Sequence, residues 1–183
     1  MKKHFVLIAG LLAAMASQAE QGAYIAAGGG VSKYNDDCTG TSSCDTSGNA
    51  FKFTGGYELG GGFAVEGVFL NFGKSTARSG PINVTIKSTA IGAGGAFIGR
   101  LNPSLALVAR LGLARVKMSG SGSGLGVSFA NSETTTKPYA GLGLTWAFMP
   151  SAYLDVSGDR TQGKLLGSKG TISALTVGVG LRF

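Results

Sequence analysis

The sequence predicts an all-β fold, an eight-stranded antiparallel up-and-down barrel built to cross a membrane, and three observations carry that expectation. Apolar residues alternate with small or polar ones along eight segments. The breaks between those segments are alternately short and long. The composition combines 44% hydrophobic residues and 32 glycines with only 14% charged residues. That balance is foreign to a soluble enzyme and suits a wall with lipid on one side and close-packed small groups on the other.

The first residues bear on compartment. Lys2 and Lys3 precede an apolar run over 5–15, and Ser17-Gln18-Ala19 places small residues ahead of a cut before Glu20. This is the layout of a secretory signal peptide. A retained helical anchor is the alternative, but the run falls short of the roughly 20 residues a spanning helix needs. The expected organisation is a signal peptide over 1–19 and one barrel domain over 20–183. After Glu20 every apolar stretch is cut by Gly, Lys, Asp or Arg.

The alternation places strands at about 22–33, 49–58, 62–74, 85–99, 104–117, 134–148, 152–162 and 169–183. Leu59-Gly60-Gly61, residues 100–103 and Met149-Pro150-Ser151 read as tight turns, rich in the residues that turns require. Residues 35–48, 75–84, 118–133 and 163–168 read as longer, polar or Ser/Gly-rich loops. Short turns on one rim and long loops on the other mark an outer-membrane barrel, whose closed sheet leaves no edge exposed to lipid.

Successive side chains on a strand point to opposite faces. Leu105, Leu107, Ala109, Leu111 and Leu113 therefore share one face, with Ala106, Val108, Arg110, Gly112 and Ala114 on the other. Ala140, Leu142, Leu144, Trp146 and Phe148 oppose Gly141, Gly143 and Thr145. Leu175, Val177, Val179, Leu181 and Phe183 oppose Thr176, Gly178, Gly180 and Arg182. A soluble sandwich would bury two apolar inner faces, whereas a narrow barrel needs small or polar groups inside. Trp146, Phe148, Phe97, Tyr57 and Phe183 lie near the short turns and are expected to form an interfacial girdle, with Phe51, Phe69 and Phe72 nearer the other rim.

Several charges fall in mid-strand. Glu66, Arg110 and Asp155 sit a few residues from short turns on strands of the same direction, each between apolar or small neighbours. They are expected to point inward at similar heights, joined by Asp159, Lys137, Lys52 and Arg182. An unpaired charge there is costly, so a lumen ion-pair network is expected, filling the interior as a polar plug. Structural glue is the favoured role, and a gate or proton site the alternative.

Cys38 and Cys44 both lie in the polar stretch 35–49. In an exported chain a disulfide closing this loop is favoured over free thiols. Two cysteines without a nearby histidine make a poor metal site, and neither a metal nor a cofactor is expected. The sole histidine, His4, lies in the expected leader, which removes a Ser–His nucleophile from the mature chain and points away from an enzyme. The glycine groups, such as Gly28-Gly29-Gly30, precede no helix and are not dinucleotide fingerprints.

The formal charge is +7, from 16 basic and 9 acidic residues, and about +5 remains without Lys2 and Lys3. The basic residues are scattered without interleaved aromatics, which speaks against nucleic acid. Near strand ends they suit the phosphates of outer-leaflet lipid, including lipopolysaccharide, or an ordinary solvated rim.

The repeat of short turns, Ala64-Val65-Glu66-Gly67-Val68-Phe69, Lys137-Pro138-Tyr139-Ala140-Gly141-Leu142-Gly143-Leu144 and the terminal Val177-Gly178-Val179-Gly180-Leu181-Arg182-Phe183 resemble the eight-stranded outer-membrane barrel family typified by the OmpA transmembrane domain and OmpX-like proteins. The resemblance covers most of residues 20–183. It implies residence in the cell outer membrane, lumen ion pairs at Glu66 and Arg110, and Phe183 as a signal read by the barrel assembly machinery. No peptidoglycan-binding domain is expected beside the barrel, and the lipid-modifying relatives use an active-site histidine, which is not expected in the mature chain. The functional expectation is a non-enzymatic, envelope-supporting protein whose long loops 35–48 and 118–133 serve surface contacts and adhesion; the alternative is a narrow channel for ions or small solutes.

Overall fold

The computed structural model describes residues 22–35, 43–79, 82–124, 127–165 and 168–183. The expected leader and Cys38 lie outside them. The alternating segments form β1 (Ala23–Asn35), β2 (Ser43–Asp45), β3 (Ser47–Gly60), β4 (Phe63–Ser79), β5 (Ile82–Arg100), β6 (Leu105–Gly124), β7 (Val127–Met149), β8 (Ala152–Leu165) and β9 (Ser168–Arg182). Eight long strands pair antiparallel with their neighbours in chain order. The last returns to the first, with Ile25 opposite Leu181 and Val31 opposite Leu175. The sheet thus closes as an eight-stranded up-and-down barrel. The three-residue β2 adds only to the far end of β4, Cys44 facing Ala77.

Three short turns lie at one end. The first runs through Gly60, Gly61 and Gly62, whose φ values are 103°, 62° and 80°. Three successive left-handed positions admit little but glycine, which is why the turn is written that way.

The opposite end departs from expectation. Within 75–84, 118–133 and 163–168 the described residues are strand and not loop. Their strands continue in register, to Ser79 opposite Ile82, Gly124 opposite Val127 and Leu165 opposite Ser168. In Ser119-Gly120-Ser121-Gly122-Ser123 the two glycines are buried on the inner face while Ser121 and Ser123 are exposed. Strand periodicity is present there, but small residues on both faces hide it from a hydrophobicity pattern.

The outer wall carries the expected rows. Leu111, Leu113, Leu142, Val177 and Val179 are exposed along the band that a bilayer covers. Phe97, Trp146, Phe148 and Phe183 are likewise exposed near the short turns. Phe63 joins them, its ring edge-on to Phe97 at 5.3 Å between centroids. Phe72 is a correction: it lies wholly buried inside the barrel. Next to it Gly73, with φ 69°, forms a bulge where the β4–β5 register slips between Asn71 and Lys74. The added residue restores inward phase at Ser75, which is buried, as bulges do when they re-aim side chains.

The interior is layered rather than uniformly polar. Towards the far end Tyr34, Leu70, Phe72, Val116, Met118 and Ile172 pack as an apolar layer across the lumen. Towards the short turns Ala64, Ala96, Ile98, Ala106 and Val108 make a smaller one. Glu66, Arg110, Asp155, Lys52 and Asp159 lie between these layers, and Glu58 is buried nearer the short turns, so the interior is not the uniformly polar plug expected.

Candidate functional site

Inward alternation on β4, β6 and β8 aims Glu66, Arg110 and Asp155 at one another. Arg110 Nε donates to Glu66 Oε2 at 2.9 Å and Oε1 at 3.3 Å. Its Nη2 reaches Asp155 Oδ2 at 3.2 Å. From β1, the Tyr24 hydroxyl donates to Glu66 Oε1 at 2.6 Å. One guanidinium therefore bridges two carboxylates, and the set joins four strands across the lumen. All three ionic side chains are at most 8% exposed, and their charge-assisted hydrogen bonds offset the cost of burying them.

A second group lies beside the first. Lys52 Nζ contacts Asp159 Oδ2 at 2.7 Å and Oδ1 at 2.9 Å, and Ser157 Oγ at 3.1 Å. Tyr139 also donates to Asp159 Oδ1. Ser157 and Thr176 share a hydroxyl contact at 3.1 Å. This group links β3, β7, β8 and β9.

Glycine makes room for both groups. Glu66 lies in register between Gly56 and Gly94. Gly141 stands beside both Arg110 and Asp159, and Gly178 beside Asp155. A Cβ on Gly141 would come within 2.5 Å of Asp159 Oδ1, and one on Gly143 within 2.8 Å of Arg110 Nη1. The ionic side chains lie across the inner surfaces of neighbouring strands where no side chain stands in the way.

Lys137 is a correction. Its inward parity on β7 is as expected, and it is half-buried, but among the described residues it has no ion pair. The β7–β8 pairing stops at Tyr139 opposite Thr161, so Lys137 sits beyond the level of Asp159, and Lys52 from across the lumen takes its place. Arg182 stays near the short turns, stacked over the Tyr153 ring at 4.8 Å. Arg100 and Glu58 form a further pair there at 2.7 Å. Tyr24, Tyr139 and Thr176 were absent from the expected network, although the same inward parity that selected Glu66 selects them too.

Two small spaces adjoin these groups. A cavity of ≈ 20 Å³ lies among Tyr24, Glu66, Arg110, Tyr153 and Arg182, and one of ≈ 10 Å³ beside Lys52, Thr54, Asp155 and Thr176. Each has room for about one water molecule. Phe183 closes β9, its amide donating to Ala23 O at 2.9 Å. Cys44 lies on β2, and its pairing with Cys38 lies outside the described residues.

Three solved structures share this architecture. Ail, the attachment invasion locus protein of Yersinia pestis, is 24% identical, with a TM-score of 0.62 over 90% of this chain and 99% of Ail. Neisserial surface protein A is 16% identical, with a TM-score of 0.63 over 88% of this chain and 97% of that one. The N-terminal β-barrel domain of Pseudomonas aeruginosa OprF is 14% identical, with a TM-score of 0.57 over 90% and 99%. Among curated proteins no sequence matches. These likenesses establish the shared fold, while the outer membrane protein β-barrel domain family matches residues 5–183. The chain belongs to the outer membrane protein β-barrel family.

Proposed function

We propose that this protein is a non-enzymatic outer-membrane barrel, exported by a cleaved leader over 1–19, that binds extracellular ligands through a sheet projecting from its far end. The observation that carries this reading is a difference in pairing. β7 pairs with β6 as far as Gly124 opposite Val127 but leaves β8 at Tyr139. Among the described residues, 127–138 therefore have no strand paired on that side, an edge about 40 Å long at the usual rise per residue, with Glu133 reaching Lys164 of β8 by an ion pair at 3.4 Å. Pro138 stands where the pairing ends and has no N–H to give a neighbouring strand.

In this reading the short turns face the periplasm and the projecting sheet faces outward. A free edge offers unpaired backbone groups to an extended partner segment, with the barrel as a rigid base. The likeness to Ail, the attachment invasion locus protein solved with the heparin analogue sucrose octasulfate, supports a surface-binding role. The filled lumen weighs against the channel alternative.

The test is to replace 119–132 with Asn-Gly, which joins the register pair Met118 and Glu133 by a tight hairpin turn. The trimmed barrel should fold and still show faster unboiled gel migration, yet lose binding of bacteria to host cells or matrix. Unchanged binding by a folded trimmed barrel would refute the reading.

A further inference from the structure

The open edge of β7 presents a defined set of main-chain groups. Ala147 donates its amide to Ser104, on the β6 side, at 2.7 Å, and the β6–β7 register runs without a slip from Trp146 to Val127. Bonded and non-bonded pairs alternate along an antiparallel ladder. The odd residues of 127–138 therefore turn their N–H and C=O groups to β6, and the even ones turn theirs away. The Pro138 carbonyl agrees, accepting the Thr161 hydroxyl of β8 at 3.0 Å. Counting on from Tyr139 opposite Thr161, Leu165 at the end of β8 comes level with Thr135. Beyond that level Ala130, Ser132 and Thr134 offer donors and acceptors that no strand takes among the described residues.

The side chains of these three residues are exposed on the outer face. Behind them on β6, Lys117 stands opposite Thr134 and Arg115 opposite Thr136. Both cations are exposed, and neither has an ion pair among the described residues. Opposite residues of an antiparallel pair share a face, so an added strand bonds to Ala130, Ser132 and Thr134 through its own outward-facing residues. It lies about 10 Å from β6, two strand spacings, a gap that a Lys117 or Arg115 side chain and a facing carboxylate close together. We infer that the edge takes an extended segment of another protein, held by main-chain bonds to Ala130, Ser132 and Thr134, with acidic side chains on its outer face for Lys117 and Arg115. Donors and acceptors repeating at every second residue match a polypeptide backbone, which a glycan does not reproduce. A second copy of β7 fits poorly, because its outward residues here are Ala130, Ser132 and Thr134 and carry no acid. The inference rests on the proposed ligand-binding role of the projecting sheet.

The experiment uses the refolded full chain and a dye-labelled heptapeptide alternating Glu with Val or Thr, read by fluorescence anisotropy. Wild type should bind it at least roughly tenfold more tightly than the same peptide N-methylated at its Glu residues, or than one with Lys in place of Glu. S132P with T134P removes two N–H groups from the open edge, where proline is tolerated, and should lose roughly tenfold of the affinity. S132A with T134A should bind like wild type, and R115Q with K117Q should lose the preference for Glu over Lys. Unboiled gel migration checks that each variant folds. The inference is overturned by equal binding of the N-methylated peptide or by no binding to folded wild type. Equal losses in the proline and alanine pairs overturn it in favour of recognition through the hydroxyl groups. Host-cell binding separates its failure from that of the proposed function. If trimming 119–132 abolishes that binding while the folded proline pair keeps it, the edge inference alone falls; if both variants keep it, the projecting sheet is not the binding part.

Discussion

Arg110 holds Glu66 through Nε at 2.9 Å and Asp155 through Nη2 at 3.2 Å, so a single cation on β6 bridges carboxylates from β4 and β8. Removing it leaves two buried carboxylates without the cation that pairs them, Glu66 keeping only the Tyr24 hydroxyl among its described hydrogen bonds.

Arg110→Leu should therefore destabilise the folded barrel by about 3–5 kcal/mol, the usual cost of breaking a buried pair from one side. Urea unfolding in lipid vesicles measures this. Changing all three residues to neutral groups, as R110L with E66Q and D155N, should recover much of the loss, because no charge is then stranded. A triple variant as unstable as Arg110→Leu would refute the account.

The same substitution should not open a pore. The apolar layer of Leu70, Phe72, Val116, Met118 and Ile172 lies beyond the ionic groups and is untouched by it. Planar bilayer recordings should show no large steady conductance for either wild type or Arg110→Leu. Sustained conductance in wild type would make the filled-lumen description untenable.

Lys52 and Asp159 should be energetically coupled. A double-mutant cycle on Lys52→Met and Asp159→Asn, read from unfolding midpoints, should give about 1–3 kcal/mol. Lys137→Met in place of Lys52→Met should give coupling near zero, since the structure separates Lys137 from Asp159. Equal coupling for both lysines would reverse the assignment made from the geometry.

Gly94 stands opposite Gly112 on the inner face, where a Cβ would run into the backbone oxygen of Leu111. Gly94→Val should cost about 1–3 kcal/mol through overpacking. Gly158 has nothing within 4 Å of its would-be Cβ, so Gly158→Ala should be close to neutral. The contrast is read from the fraction that migrates fast without boiling.

Phe183 is 44% exposed, so its ring adds little to the core. If it serves as an assembly address, Phe183→Ala should lower the level of folded barrel in the outer membrane while export, and the stability of refolded protein, stay near wild type. Normal barrel levels would leave Phe183 as a strand end only.

Much of the fold was legible because a barrel wall has a simple contrast. Where one face meets lipid and the other is small or polar, as along Leu105 to Ala114, period two assigns every side chain. The same parity aims Glu66, Arg110 and Asp155 into one lumen. Legibility failed where both faces are alike. Ser119 to Ser123 is small throughout and reads as a loop, while Phe69-Leu70-Asn71-Phe72 is mostly apolar and conceals which aromatic points inward.

By itself the sequence determined the strand count, the closed topology and the inward parity of Glu66, Arg110, Asp155, Asp159 and Lys52, because these follow from local alternation and the need to satisfy every backbone group in lipid. The tertiary structure alone decided which charges meet. That Asp159 pairs with Lys52 rather than Lys137 depends on the stagger between strands and on where β7 leaves β8. Partners across a lumen are set by that geometry, which no spacing along the chain records.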